Sequence, residues 1–359
     1  MFLAVIVFVV IFGLVVLVHE LGHFYFAKRA GIKVEEFGFG LPPRLWGVKR
    51  GETIYSINWI PFGGFVRMLG ENETVNNKRA FSSKSAGQRA MVAVAGVLMN
   101  FVLAFVIMMI GFWFSMPPFV TPVERYVSDP SQVESRVVVV NVVDDSPAQA
   151  AGLQPGDYLL RSGETVFSTA EEFVAFTSDA GTRAVEVVIS RGGEESVVTV
   201  TPEQGDEGVE IGAWIDRDIQ SVDYVWWQVP WLALQETAQL LWVVMVVIWQ
   251  FLYQLFATAS VSPDLAGPVG IAKITADLLN LGWLRIVQFT IFLSINLGII
   301  NLVPFPALDG GRLLFILIEV IRGGRKVPHK IEGAIHSLGF VLIMLLLLVV
   351  TYRDVIKLI

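Results

Sequence analysis

Long apolar runs alternate with polar stretches along the chain, and several runs are long enough to cross a bilayer as helices. A transmembrane helix needs about 20 predominantly apolar residues. Four runs fit such a helix: about residues 2–27, 90–116, 284–318 and 331–351. The pattern therefore predicts a polytopic α-helical membrane protein with four spans, the third of which is interrupted by prolines and glycines.

A fifth apolar run, residues 225–257, is rich in Trp and could also cross by length alone. Basic residues favour the cytoplasmic side of a membrane, which assigns Lys28, Arg29 and the basic loop 322–330 to the cytoplasm. A full crossing at 225–257 would place that loop outside. We therefore expect the region 225–282 to lie at the interface, with its Trp side chains at headgroup level.

This topology places the N-terminus, the polar middle section and the C-terminus outside the cytoplasm. It divides the chain into an N-terminal membrane part (1–116), a soluble domain (120–218), the interfacial region and a C-terminal membrane part (284–359).

Composition and charge support this division. The chain is 54% apolar and 16% charged, whereas soluble domains have about 25% charged residues. Residues 28–89 contain eleven Lys and Arg, but residues 116–225 contain six Arg and no Lys against twenty Asp and Glu. The acidic middle section argues against a nucleic-acid partner. Without cysteine, disulfides are excluded and a metal must bind to His, Asp or Glu.

The soluble section predicts one small domain of short strands and two helices. Ser146–Asp157 indicates a short helix followed by a Gly-closed turn, and residues 170–178 indicate a second helix. Strand-like runs are predicted at residues 137–143, 158–160, 183–190 and 196–201.

Strand-like sequence also lies between the first two spans, at residues 34–70. Val34–Gly40 and Thr53–Ile60 favour strands, and Pro61–Met68 adds turn residues in an apolar setting. Two interpretations are open. The segment enters the membrane, where protein or a water-filled cavity satisfies its backbone, or it forms a small cytoplasmic sheet with an apolar edge.

Ionisable residues end the first apolar run, in the sequence HELGH at residues 19–23. Ionisable groups at membrane depth are rare and mark functional sites. Positions i and i+4 share one face of a helix, so His19 and His23 can bind one metal ion. Glu20 is then placed to take a proton from a metal-bound water.

A catalytic zinc site usually has three protein ligands, so a third is needed. Asp309 is the best candidate, because it lies in the helix-breaking sequence Asn301–Gly311 towards the cytoplasmic end of its span, as HELGH does. An alternative role for Asp309 is to cap a helix terminus. His329 and His336, in or just after the basic loop, are rival ligands.

The expected reaction is hydrolysis of a peptide bond, with Glu20 moving the proton from water to the leaving amine. A transmembrane substrate must be unwound locally. We expect the region Thr53–Met68 to offer a strand edge that binds the unwound stretch, and Asn301 to hold its backbone.

Together these motifs resemble the site-2 protease family of intramembrane zinc metalloproteases, in its RseP-like (regulator of sigma-E protease) branch. The resemblance covers nearly the whole chain, and its motifs are HELGH, FGFG at 37–40, PFGGFVRM at 61–68, GPVGI at 267–271 and NLVPFPALDGG at 301–311.

The resemblance implies four transmembrane helices, a membrane-reentrant β-hairpin and one inserted extracytoplasmic PDZ domain, with the active site near the cytoplasmic face of a bacterial inner membrane. It implies one Zn²⁺ per chain. Substrate binding is expected at Gly63, Gly64 and Phe65, and peptide binding by the PDZ domain at Ile211, Gly212 and Ala213.

The family further implies substrates that are single-pass membrane proteins already cut by a site-1 protease, such as anti-sigma factors or remnant signal peptides. The PDZ domain would then filter substrates by size or recruit them. The oligomeric state does not follow from the sequence.

Two features depart from the family pattern. Val97 follows Gly96 where the second span often has proline, although Asn100 is retained. The chain also has one PDZ-like segment where some relatives have two.

Two other functions compete with this interpretation. One is a membrane zinc protease with a downstream Glu ligand, for which Glu319 and Glu332 are poorly placed. The other is a non-catalytic PDZ scaffold, against which the intact Glu20 and Asp309 argue.

Overall fold

The chain folds into two compact units in a computed structural model that describes residues 2–71, 73, 75–127, 129–205, 208–258, 267–280 and 282–357. The first unit comprises Met1–Gly111 and Ala233–Ile359, and the second comprises Phe112–Leu232. The helices and strands, in chain order, are α1 (Phe2–Arg29), β1 (Val34–Arg50), β2 (Thr53–Met68), α2 (Ala86–Trp113), β3 (Val133–Val142), α3 (Pro147–Ala150), β4 (Tyr158–Ser162), β5 (Thr165–Val166), α4 (Ala170–Ala180), β6 (Val185–Arg191), β7 (Glu194–Val200), β8 (Glu203–Gly205), β9 (Gly208–Glu210), β10 (Ala213–Val222), α5 (Val229–Thr258), α6 (Pro268–Asn280), α7 (Trp283–Leu302), α8 (Asp309–Ile321) and α9 (His329–Ile356).

Five helices of the described chain are long and apolar enough to cross a membrane, namely α1, α2, α5, α7 and α9. Each has at least 20 residues in its apolar segment, and about 20 residues span the hydrocarbon core. The chain is therefore a polytopic membrane protein. The interfacial position of α5, and with it the count of four spans, stays a prediction, because α5 meets the same criteria of length and composition as the other four.

The predicted third span, residues 284–318, consists of two helices rather than one. α7 ends at Leu302 and α8 begins at Asp309. Proline has no N–H donor and its ring clashes with the preceding turn, so Pro304 and Pro306 keep residues 303–308 out of helix. With 13 residues, α8 is shorter than a bilayer crossing requires. The interruption predicted from the prolines places Asp309 at the first turn of a helix.

The strands β1 and β2 bend, and together they form four antiparallel segments. Residues 34–39 pair with 64–68 on one side, and residues 36–39 pair with 54–57 on the other. The segment 53–58 also pairs with 44–50. Within the described chain, the segments 44–50 and 64–68 are therefore the edges of this sheet. The expected exposed edge over Thr53–Met68 is limited to its second half, because 53–58 has a partner on each side.

The turn between β1 and β2 is held by ionic contacts. Glu52 in this turn accepts hydrogen bonds of 2.7 Å from Arg79 and from Lys28 at the end of α1. These two contacts, the one from Arg79 first, lower the pKa of Glu52 to about 2. The turn is thereby tied both to α1 and to the segment that leads to α2.

Ion pairs also connect the start of α2 and the segment before it to α8. Glu71 pairs with Arg312. Arg89 Nη2 lies 2.6 Å from Glu319 Oε1, and both side chains are at most one-tenth exposed. Because Arg312 and Glu319 lie on the helix that begins at Asp309, these pairs fix the position of that helix.

The second unit is built on an antiparallel sheet in the order β10-β3-β4-β6-β7, with β5 paired to β4. Helix α4 begins with a capping box formed by Thr169 and Glu172. The strands and helices predicted in this section are present within a few residues. The strand β10 was not predicted, because Asp216-Arg217-Asp218 conceals its alternation; as an edge strand it tolerates these charges. The core of the unit consists of apolar side chains from the sheet, the helices and the loops between them, including Val137, Leu159, Phe167, Phe173 and Ile189.

Removing one partner of the buried pair between Arg89 and Glu319 should destabilise the protein, because the other charge is left without compensation. The single variants Arg89→Met and Glu319→Leu should each lose about 3–5 kcal/mol, and the double variant should recover most of this loss. Thermal unfolding in detergent measures the effect. Single variants that unfold at the wild-type temperature would show that the pair does not anchor α8.

Candidate metal centre

The first part of the centre is one face of α1. His19 and His23 are four residues apart on this helix and both side chains are buried, at 5% and 7% exposure. Their Nε2 atoms are 3.2 Å apart, so the two imidazoles point to a common position, as the HELGH spacing predicts.

Asp309 reaches this position from the interruption between α7 and α8. Its Oδ2 lies 3.0 Å from His19 Nε2 and 3.1 Å from His23 Nε2. A Cβ on Gly310 would lie 2.2 Å from the carbonyl oxygen of Val303, and one on Gly311 would lie 2.4 Å from that of Phe305. The two glycines therefore allow α8 to start against the preceding loop, which brings the carboxylate to the histidines.

These three ligand atoms fit a metal ion. Atoms about 2.0–2.2 Å from a zinc ion at tetrahedral angles are about 3.3–3.6 Å from each other. The observed separations of 3.0–3.2 Å are slightly shorter, and two imidazole nitrogens with one carboxylate oxygen form a suitable donor set. Within the described chain, no other group of three such side chains can hold a metal.

The rival ligands do not join this cluster. His336 Nδ1 accepts a hydrogen bond of 2.9 Å from the backbone N–H of Ala307, so His336 supports the interruption before α8. Glu319 is paired with Arg89. Glu332 is not part of the cluster, and the side chain of His329 lies outside the described residues.

Helix α2 forms a wall of the centre that sequence reasoning missed. A Cβ on Gly96 would lie 2.4 Å from His23 Nε2 and 2.7 Å from His19 Nε2. On the opposite helix, a Cβ on Gly22 would lie 2.4 Å from the carbonyl oxygen of Ala95. Small residues let helices approach closely in membranes. Gly96 was noticed only because of the Val97 that follows it, although a glycine on an apolar helix is itself a signal of close approach.

Glu20 lies beside the edge segment 64–68 of the small sheet. A Cβ on Gly64 would lie 2.9 Å from Glu20 Cγ. Of the three residues expected to bind substrate, Gly64 therefore lies beside the metal centre. The ring of Phe65 packs over Gly38. Gly63 has a positive φ of 94° and lies beside Leu41.

Asn301 occupies the last turn of α7 and is half-buried. It lies before the interruption at residues 303–308. Its contact with substrate stays a prediction.

The expected peptide-binding loop of the second unit is tightly built. The carbonyl oxygen of Ile211 accepts a hydrogen bond from Ala148 N–H, and that of Gly212 accepts one from Val143 N–H. Gly212 has a φ of 68°, and a Cβ there would lie 2.3 Å from Ser146 Cβ. Ala213 begins β10. The loop is therefore fixed against the segment that precedes α3.

Known proteins similar to this chain include zinc metalloproteases. The sequence profile described as peptidase family M50 matches residues 7–346. The zinc metalloprotease RasP of Oceanobacillus iheyensis is 32% identical over 445 aligned residues, covering 98% of each chain. The regulator of sigma-W protease RasP of Bacillus subtilis is 29% identical over 438 residues, again covering 98% of each. Among solved structures, the PDZ domain of an SdrC-like protein from Listeria innocua is matched over 25% of this chain and 99% of that domain, with 19% identity and a TM-score of 0.21.

Gly96→Ala should disrupt the centre, because its methyl group would lie where the imidazole nitrogens meet. Overpacking of this kind costs about 1–3 kcal/mol, and we expect a loss of bound zinc together with activity. Gly87→Ala is the matched control on the same helix, since no atom lies within 4 Å of a Cβ there. The zinc content of both purified variants is measured. A wild-type zinc content in Gly96→Ala would contradict the close approach of α2 to the two histidines.

Asp309→Ala should lose zinc, whereas His336→Ala should retain it, because only the first removes a member of the cluster. Zinc analysis of the two purified variants makes the comparison. Zinc retained in Asp309→Ala would remove Asp309 from the ligand set.

Proposed function

The chain belongs to peptidase family M50, the site-2 proteases, and from this premise we propose that it hydrolyses peptide bonds within the transmembrane segments of single-pass membrane proteins. It is a zinc metalloprotease, and its long apolar helices place it in the membrane. The observation that carries the proposal is the convergence of His19, His23 and Asp309 among those helices.

We assign one Zn²⁺ per chain to His19, His23 and Asp309. Zinc, when bound, lowers the pKa of a coordinated water and polarises the carbonyl group of the substrate. The support for this assignment is the pair of Nε2 atoms and the Oδ2 atom that face one position.

Glu20 is the proposed general base and acid. Glu20 directly follows His19 on α1 and lies beside Gly64 of the edge segment 64–68. It takes a proton from the attacking water and gives it to the leaving amine nitrogen as the C–N bond breaks. The products are a carboxyl group and an amine, so the reaction needs no further reactant.

The edge segment 64–68 is the proposed binding site for the unwound substrate. A helical substrate has its carbonyl groups in hydrogen bonds with its own backbone, and an extended segment can replace those bonds by pairing with a sheet edge. Gly64 supports this role, because its missing side chain leaves the strand backbone close to Glu20. Asn301 is proposed to hold the other side of the extended chain.

For the membrane topology we propose that the N-terminus, the second unit and the C-terminus are extracytoplasmic, and that the metal centre lies near the cytoplasmic face of a bacterial inner membrane. The support is the basic character of residues 28–89 and of the loop 322–330. The reentrant position of the small sheet belongs to the same proposal.

We further propose that residues 120–218, within the second unit, form a PDZ domain that selects substrates by size or recruits them. The support is the sequence Ser146–Asp157 and the glycine loop at 211–213. Its substrates would be remnants left by a first, site-1 cleavage. Anti-sigma factors and remnant signal peptides both have the required single transmembrane segment.

Glu20→Gln tests the mechanism, because it removes the base and preserves the shape of the side chain. Cleavage of a model single-pass substrate should fall by about 10²–10⁴-fold, while bound zinc is unchanged. Glu332→Gln, the same substitution on a carboxylate outside the cluster, should cleave at the wild-type rate. Undiminished cleavage by Glu20→Gln would remove Glu20 from the reaction.

A further inference from the structure

A buried amide on α2 contacts the side of His19 that faces away from the cluster. Asn100 is fully buried, and its Nδ2 lies 3.3 Å from His19 Nδ1. Its Oδ1 is also buried and has no hydrogen-bond partner in the described part of the chain. A buried amide oxygen without a donor is unfavourable, because it has lost its hydrogen bonds to water, so this contact needs an explanation.

The requirements of metal binding supply one. An imidazole that binds a metal through Nε2 carries its proton on Nδ1, and this N–H then needs an acceptor. The NH₂ group of Asn100 is a donor, so in this orientation two donors would face each other. Turning the amide by half a rotation leaves its shape unchanged and brings Oδ1 onto the Nδ1–H of His19. One rotation therefore satisfies both the unpaired oxygen and the ligand.

His23 already shows the equivalent arrangement. Its Nδ1 lies 2.8 Å from the carbonyl oxygen of Val92, which can only accept a hydrogen bond. Val92, Gly96 and Asn100 follow one another at intervals of four residues, so they share one face of α2. This face provides an acceptor for each histidine on either side of the glycine that makes room for their rings.

We propose that Asn100 is a positioning residue of the metal centre: its Oδ1 accepts a hydrogen bond from Nδ1–H of His19 and thereby fixes the tautomer that presents Nε2 to zinc. The proposal rests on the assignment of His19 as a zinc ligand. The backbone of Asn100 is also held in place, because Ser294 Oγ of α7 donates a hydrogen bond of 2.8 Å to the carbonyl oxygen of Asn100.

Two substitutions separate the acceptor from the donor. Asn100→Leu removes both and should weaken zinc binding by about 10–100-fold. Asn100→Asp keeps an acceptor and removes the donor, so its zinc affinity should stay within about threefold of the wild type. This change is much smaller than the loss of zinc affinity expected when a ligand histidine lacks its hydrogen-bond acceptor. Asn296→Leu is the matched control, because among the described residues that amide donates a hydrogen bond to the carbonyl oxygen of Phe292 on its own helix and is not part of the cluster. Competition with a zinc chelator, on the full-length protein in detergent, gives the affinities.

The outcomes are distinct. Wild-type affinity in Asn100→Leu, or an equal loss in Asn100→Leu and Asn100→Asp, would overturn the proposal. A His19→Ala variant that binds zinc normally would instead overturn the ligand assignment itself.

A measurement on the wild type avoids any dependence on how the variants fold. With ¹⁵N-labelled histidine, of which the chain has four, the zinc-loaded protein should show His19 protonated at Nδ1 and hydrogen-bonded. An unprotonated Nδ1 would reject the proposed contact.

Discussion

An ionisable side chain among apolar helices is stable only where other groups compensate it, and the architecture of the first unit follows from this constraint. The Nε2 atoms of His19 and His23 and the Oδ2 atom of Asp309 lie 3.0–3.2 Å from one another, so these polar side chains stabilise one another. The carbonyl oxygen of Val92 forms a hydrogen bond with Nδ1 of His23. The contacts of Asp309 and of Val92 connect α8 and α2 to α1, so these helices are arranged around polar groups and not around an apolar core alone.

The same constraint acts at the ends of α8. Asp309 begins the helix at the metal centre, Arg312 pairs with Glu71 in the segment before α2, and Glu319 pairs with Arg89 in the first turn of α2. A short helix that cannot cross the bilayer is thus fixed along its length by ionic contacts. This arrangement explains how an interrupted helix can hold a ligand in a defined position, although the loop that precedes α8 is not helical.

Much of the site could be predicted because its chemistry is encoded by residue type and local spacing. HELGH places two imidazoles on one helix face, and the prolines and glycines around Asp309 indicate an interrupted helix. The four-segment order of the small sheet could not be predicted, because it depends on a bend within β1 and on pairing between distant residues. The part played by Gly96 was missed for a similar reason: a glycine records close approach but does not identify the side chains it approaches. β10 was hidden because its charged residues lie on an edge, where the alternation rule is weak.

The sequence separation within the metal centre has a consequence for biosynthesis. His19 and Asp309 are 290 residues apart, so the proposed ligand set is incomplete until most of the chain has left the ribosome. At about 5–20 residues per second, this interval is about 15 to 60 seconds. With the proposed ligand set, the protease is inert until Asp309 has been synthesised, and products truncated before Asp309 have no complete centre with which to cut neighbouring proteins.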